Sequence, residues 1–329
     1  MGMRLYKSIV AILILSVCFL CACGTDKKIQ APKMKPSQAA WSVYWDWANG
    51  IDEAQDDKYQ DVIVFAADFD SKSNIVLPKK FNLDDFKDLS NRKLFISFVN
   101  DIQTQSSGTI QKDIVFLNKL LETPESRRQH ISDVIKICRD NGFDGIEIDY
   151  ENIWKEKALV ENFVSFVKEL HKETQMNLLD LRVVLDVRAL KYAKIFPDDV
   201  EYVVMFYNLY GLHSGPGPKA DKEFILSTLE KMQNLKGTPN IAFANGGFDW
   251  CEGSKTRSLT SKQARLLAKR MKVEPKRDFA SNALYFTYMQ NDKKHTVWYG
   301  DETTIEYWCD IAKQYGYKRF SLWRLGGSK

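Results

Sequence analysis

Asp144-Gly145-Ile146-Glu147-Ile148-Asp149-Tyr150-Glu151 reads as a short buried strand that carries its charge on one side. Side chains on a strand alternate between faces. Ile146, Ile148 and Tyr150 therefore share one face and call for an apolar layer. Glu147, Asp149 and Glu151 share the other, with neighbours only ~6–7 Å apart along the strand. Three ionised carboxyls in such a row repel one another, so at least one is expected to keep its proton near neutral pH. An arrangement that costs stability in this way marks a candidate acid–base site. The competing reading is an edge strand with a solvated acidic face, and the rest of the chain has to decide between them.

Similar apolar runs recur along the 329 residues. Trp41–Trp45, Asp61–Ala67 and Lys93–Val99 precede the acidic strand. Leu181–Asp186, Tyr202–Tyr207, Asn240–Ala244 and Arg319–Trp323 follow it. Helical patterns lie between most of them: Pro124–Arg139 behind a Thr123 cap, Ala158–Glu173, Lys222–Gln233 and Thr303–Tyr315. Near-continuous apolar strands alternating with helices imply parallel strands covered by helices. Eight such units predict a (β/α)8 TIM barrel, with a doubly wound open sheet as the runner-up. The connection after strand seven, about 248–301, is too long for a bare loop. It reads as a small α+β insertion with a helix over Ser261–Met271 and a hairpin of Leu284–Gln290 and His295–Trp298, turned at Asn291–Lys294.

The N-terminus reads differently. Arg4 and Lys7 precede an apolar run, Ser8–Leu20, that is short for a membrane span and ends in Leu20-Cys21-Ala22-Cys23-Gly24. This resembles a bacterial lipobox. The division expected is a lipoprotein signal peptide over 1–22, lipidation at Cys23, a flexible tether over 23–39 and the barrel over 40–329. That division would put the protein at the cell envelope, lipid-anchored on the outer face of a bacterial membrane. A net charge of +4 without a basic stripe gives no case for nucleic acid. Cys138, Cys251 and Cys309 are widely spaced and suggest neither a metal site nor a disulfide framework. No cofactor is expected, and a monomer is.

In a barrel of this kind the active site lies at the C-terminal ends of the strands. Glu151, Tyr207-Asn208 and Trp323 are three such ends. Taken together, the stretch 144–151, Met205-Phe206-Tyr207-Asn208 and Ser321-Leu322-Trp323 resemble, in order and spacing, glycoside hydrolase family 18, the chitinase family, over about 40–327. Leu209–Pro218 and Leu322–Gly326 resemble, more loosely, its cell-wall and spore-cortex branches. The resemblance implies retaining hydrolysis in which the substrate's own 2-acetamido oxygen is the nucleophile. It implies Glu151 as general acid, Asp149 as the residue that orients the acetamido group, and Tyr207 as its hydrogen-bond donor. Trp323 would be the floor, with Glu147 and Asp144 holding the proton arrangement behind it and Tyr44, Met205 and Asn208 as substrate contacts.

Glu147 and Asn208 stand where the family has aspartates, and Ser97–Asn100 lacks its glycine pair. The longer Glu147 leaves room for proton sharing with Asp149. Tyr207 and Trp323 could each instead be plain barrel core. Trp45, Trp47, Trp154 and Trp250 lie just past strand ends as packing or sugar platforms, and His213 is a further candidate contact. The implied partner is a glycan containing N-acetylglucosamine. Two other readings stay open, a non-catalytic glycan-binding relative and a lipid-anchored interaction scaffold, the second leaving the carboxylate strand unexplained.

Overall fold

The computed structural model describes residues 37–79, 81–104 and 108–327. The segments expected to be a signal peptide and most of the tether, Cys23 included, lie outside the described residues.

Eight parallel strands close on themselves. They are β1 (Ser37–Val43), β2 (Asp61–Asp70), β3 (Lys93–Gln103), β4 (Gly145–Asp149), β5 (Asp180–Leu185), β6 (Glu201–Met205), β7 (Thr238–Ala244) and β8 (Arg319–Trp323). Each pairs with the next, and β8 returns to β1 through Ser37 opposite Arg319 and Ala40 opposite Leu322. This is the expected (β/α)8 TIM barrel. β1 begins at Ser37, inside the stretch read as tether, because Ser37 already pairs with β8 and its hydroxyl donates to Asp61 at 3.2 Å.

The helices that cover the barrel are α1 (Trp47–Ala54), α2 (Ile114–Leu121), α3 (Pro124–Asp140), α4 (Lys157–Met176), α5 (Lys222–Met232) and α7 (Glu302–Gln314). The connections after β2 and β5 are 3-10 helical instead, at Leu83–Leu89 and Val187–Ile195. α3 starts as its sequence dictates. The Thr123 hydroxyl accepts from Ser126 N–H, Ser126 reciprocates, and Pro124 fills the first turn, where no N–H is needed. The chain then turns at Asn141-Gly142 and enters β4.

β4 alternates as expected. Ile146, Ile148 and Tyr150 are buried in the layer between strands and helices, with Val134, Phe163 and Phe166 in the same cluster. Tyr150 is tied there by a 2.7 Å hydrogen bond between its hydroxyl and His130 Nε2. Burial pushes His130 down to about 3, so the ring is neutral and belongs to the core. Gly145 is required by packing: a Cβ there would lie 2.4 Å from the Phe95 ring and 2.9 Å from the Asp180 carbonyl.

The insertion after β7 is a five-stranded antiparallel sheet with one helix, α6 (Ser261–Met271), packed on it. It starts at Gly246, with a strand Gly246–Cys251 that the sequence reading missed. Gly247 lies so close to the neighbouring strand that a Cβ would overlap the Trp298 carbonyl. The hairpin is tighter than expected. Its strands are Leu284–Gln290 and Lys293–Gly300, joined by Asn291-Asp292 alone, both at positive φ. That is the two-residue turn whose twist suits a hairpin.

Candidate active site

The lower interior of the barrel is polar. Arg182, on β5, is fully buried and donates from Nε to Glu147 Oε2 at 3.0 Å, from Nη1 to Glu201 at 2.7 Å and from Nη2 to the Ser321 hydroxyl at 3.0 Å. Glu201 also accepts from Arg319 at 2.6 Å and from Asn240 at 2.8 Å. The second oxygen of Glu147 accepts from the Trp41 indole at 2.6 Å. Both oxygens of Glu147 are therefore taken by donors, and the residue is completely buried. Proton sharing between Glu147 and Asp149 is not found: no hydrogen bond joins them among the described residues. The extra methylene carries the Glu147 carboxyl to Trp41 and Arg182 instead. Glu147 is a structural anchor under the site, held by Trp41 and Arg182.

Asp144 is likewise corrected. It sits at the N-terminal entrance to β4, exposed, and accepts from the backbone N–H of Leu94 at 2.8 Å. Five residues of strand put it ~16 Å from Asp149, at the end of the barrel opposite the site. It splices β3 to β4.

Above this polar floor lies an apolar plug that includes Trp41, Ile63, Phe95, Val184 and Met205, capped by Phe65, Tyr207 and Trp323. Trp323 is held edge-on by Trp41 (centroids 5.8 Å apart) and Phe65 (5.0 Å). Met205 is buried within the plug, and Asn208 Nδ2 lies 3.8 Å from its sulfur, so both are placed beneath the cap. Tyr44 and Trp45 stand at the rim, 38% and 53% exposed. Trp47 packs on Phe81 and Phe86, Trp154 on Phe163 and Phe196, and Trp250 is buried with its indole on the Ser214 carbonyl. These three are packing residues. His213 is exposed on the loop after β6.

The chemistry sits on the cap. Asp149 leaves one carboxyl oxygen, Oδ1, buried without a hydrogen-bond partner. Burial pushes its carboxyl well above the usual carboxylate range, and the neighbouring charges of Glu151 and Glu147 push the same way. Asp149 is therefore the member of the row pushed toward its neutral form. Tyr207 is also pushed well above the ordinary tyrosine range by burial and by the charges of Asp149, Glu151 and Glu147, so its hydroxyl remains a donor.

Glu151, just beyond β4, is positioned by a residue the sequence reading passed over. Asn100, buried in the last third of β3, accepts from Glu151 N–H at 2.9 Å and donates to its carbonyl at 3.2 Å. Lys112 Nζ lies 2.5 Å from Glu151 Oε1. A polar residue closing an apolar strand run was the available signal for Asn100; Lys112 gave none. Among the described residues no group of three or more His, Cys, Asp or Glu side chains could hold a metal ion. The set comprises a carboxyl with one buried oxygen that is pushed toward its neutral form, a phenol donor, a partly exposed second carboxyl and an aromatic floor. It can hold an amide group against the cap while passing a proton to an adjoining oxygen.

The profile of the glycosyl hydrolases family 18 matches residues 40–327, nearly the whole described chain. The chain belongs to this family. The family 18 barrel accounts for the order of its strand ends. Among curated proteins it is 26% identical over 230 residues to an uncharacterized glycosylase, YvbX, of Bacillus subtilis, covering 64% of this chain and 65% of the relative. It is 22% identical over 231 residues to a cortical fragment-lytic enzyme of Bacillus subtilis, covering 63% and 52%. The matched stretch thus spans from about half to 65% of the length of these relatives. Of solved structures, a chitinase from Chromobacterium violaceum superposes with a TM-score of 0.76 at 17% identity, over 90% of this chain and 96% of that one. At that identity the likeness speaks for the fold.

Proposed function

We propose that this family 18 barrel is a retaining endo-β-N-acetylglucosaminidase that cleaves β-1,4-linked glycans containing N-acetylglucosamine, with the substrate's acetamido oxygen as nucleophile. The observation that carries the proposal is the state of the carboxyls. Retention by the two-carboxylate route needs an ionised carboxylate ~5–5.5 Å from the acid. Glu147 is consumed by Arg182 and Trp41, and Asp149 is pushed toward its neutral form. Neither suits that role, whereas a neutral Asp149 beside the Tyr207 hydroxyl suits an acetamido group. Glu151 would protonate the leaving glycosidic oxygen and then activate water. Asp149 would accept a hydrogen bond from the acetamido N–H, turning the group to the anomeric carbon and polarising it as positive charge develops there. Tyr207 would donate to the acetamido oxygen, and Trp323 would carry its methyl group. Met205 and Asn208 would shape the pocket below, and Tyr44 and Trp45 would line its rim.

Peptidoglycan is favoured over chitin by two considerations. A curated relative is named a cortical fragment-lytic enzyme, and a lipid at Cys23 would hold the barrel where peptidoglycan is found. One observation favours the second reading, glycan binding without turnover: Glu151 is ion-paired with Lys112. The same assay separates the two. The protein is expected to release new reducing ends from chitotetraose and from peptidoglycan glycan strands, and none from cellotetraose. Binding of chitotetraose without cleavage would leave the lectin reading standing. Cleavage of cellotetraose at a comparable rate would remove the acetamido nucleophile.

A further inference from the structure

Lys112 and Glu151 belong to one hydrogen-bonded unit. Lys112 adopts a left-handed backbone conformation, φ 55°, and its N–H donates to Asp101 Oδ1 at 2.8 Å. The next residue, Asp113, caps α2 by accepting from Phe116 N–H, and its own N–H donates to the Asn100 carbonyl at 2.9 Å. Asn100 in turn grips the backbone of Glu151. The lysine is thus set over the acid by the fold, and its side chain remains part-exposed at the mouth. Its other charged surroundings are acidic. Asp149 feels the charges of both Lys112 and Asp101, and Asp68 lies near Asp101 and is pushed up to about 6, chiefly by burial. Arg188, which also feels the charge of Glu151, is tied to Asp186 at 2.5 Å.

This placement has a stereochemical meaning, given the N-acetylglucosaminidase reading on which the inference rests. The atom that Glu151 protonates in a β-1,4-linked glycan is O4 of the leaving sugar. The adjoining ring carbon, C3, bears O3. In N-acetylglucosamine O3 is a hydroxyl. In N-acetylmuramic acid it carries a lactyl ether ending in a carboxylate, which would arrive beside Glu151 and Asp101 and be repelled by the negative charge there. An ammonium in contact with Glu151 is where that carboxylate needs its counter-charge, and an ammonium has three donors to share. Moving to the carboxylate, it would also free Glu151 Oε1 to face the glycosidic oxygen.

We infer that Lys112 is the specificity residue that admits N-acetylmuramic acid with a free lactyl carboxylate on the leaving-group side of the scissile bond. Its ammonium passes from Glu151 to the carboxylate on O3. A neutral glycan offers no such partner and has to displace the ion pair unaided.

The test compares kcat/KM on three substrates: glycan strands freed of their stem peptides, the same strands with lactyl carboxylates converted to methyl amides, and chitotetraose. The wild type is expected to prefer the free acid to the methyl amide by ~10-fold or more, the scale of one charge-assisted hydrogen bond. Rising salt should shrink that preference. Lys112→Met should bring the ratio to within ~2-fold of unity, and Lys112→Arg should keep most of it. A wild type indifferent to the carboxylate, or a Lys112→Met variant that loses the same factor on acid and amide, would overturn the inference while leaving the glycosidase reading intact. A wild type that cuts none of the three would overturn that reading, and this inference with it.

Discussion

Glu151→Gln is expected to lower turnover of chitotetraose by ~10²–10⁴-fold, the usual worth of a positioned general acid. Glutamine keeps the shape of the side chain, and the Asn100 clamp acts on the backbone, so the loop geometry should survive the change. The variant loses the proton for the leaving oxygen and the base for the incoming water, so both half-reactions slow. Substrate affinity should change far less, because the floor and the acetamido contacts are untouched. Steady-state kinetics on the purified variant check this. Turnover within a few-fold of wild type would remove Glu151 from the acid role.

Asp149→Asn should lower kcat by ~10²-fold or more, with a much smaller change in KM, since the interaction lost is stronger in the transition state than in the bound substrate. The same substitution should make the protein more stable at neutral pH. Asp149 holds its proton in the folded chain to well above the usual carboxylate range, whereas an unfolded aspartate releases it near pH ~3.9. Across that window the folded form binds the additional proton, so stability falls as pH rises through it. Asparagine cannot ionise, and its advantage should appear above about pH 4, the unfolded aspartate value, and vanish below it. Asp68 shifts stability in the same direction but is present in both proteins and cancels. The gain should be visible as a higher Tm at pH 7, at ~2–4 °C for each kcal/mol in a domain of this size. A Tm that drops at pH 7, or a benefit that persists unchanged at pH 3, would contradict the buried neutral carboxyl.

How much of this was legible in the sequence depends on the range over which each residue acts. The alternation along β4 placed Ile146, Ile148 and Tyr150 outward and Glu147 and Asp149 inward, because strand periodicity is local. The closing of eight strands followed from apolar runs between helical patterns. The role of Glu147 did not follow. Its partner Arg182 is 35 residues away, and the register that sets them side by side exists only after β4 and β5 pair. The charge within Leu181-Arg182-Val183-Val184-Leu185 was the visible sign that something inside the barrel needed an arginine. Asp144 was misplaced for the opposite reason. Adjacency within a motif is not adjacency in space when the motif runs along a strand. Lys112 lies in an irregular segment after β3 and reaches Glu151 only through the Asn100 and Asp101 contacts, which leave no trace in composition or period.

If the nucleophile belongs to the substrate, the anomeric form of the first product will reveal it. Proton NMR of the wild type acting on chitotetraose, recorded before mutarotation sets in, should show the new reducing end as the β-anomer. The α-anomer as first product would mean direct attack by water, with Asp149 or another carboxylate as its base, and would exclude an acetamido nucleophile.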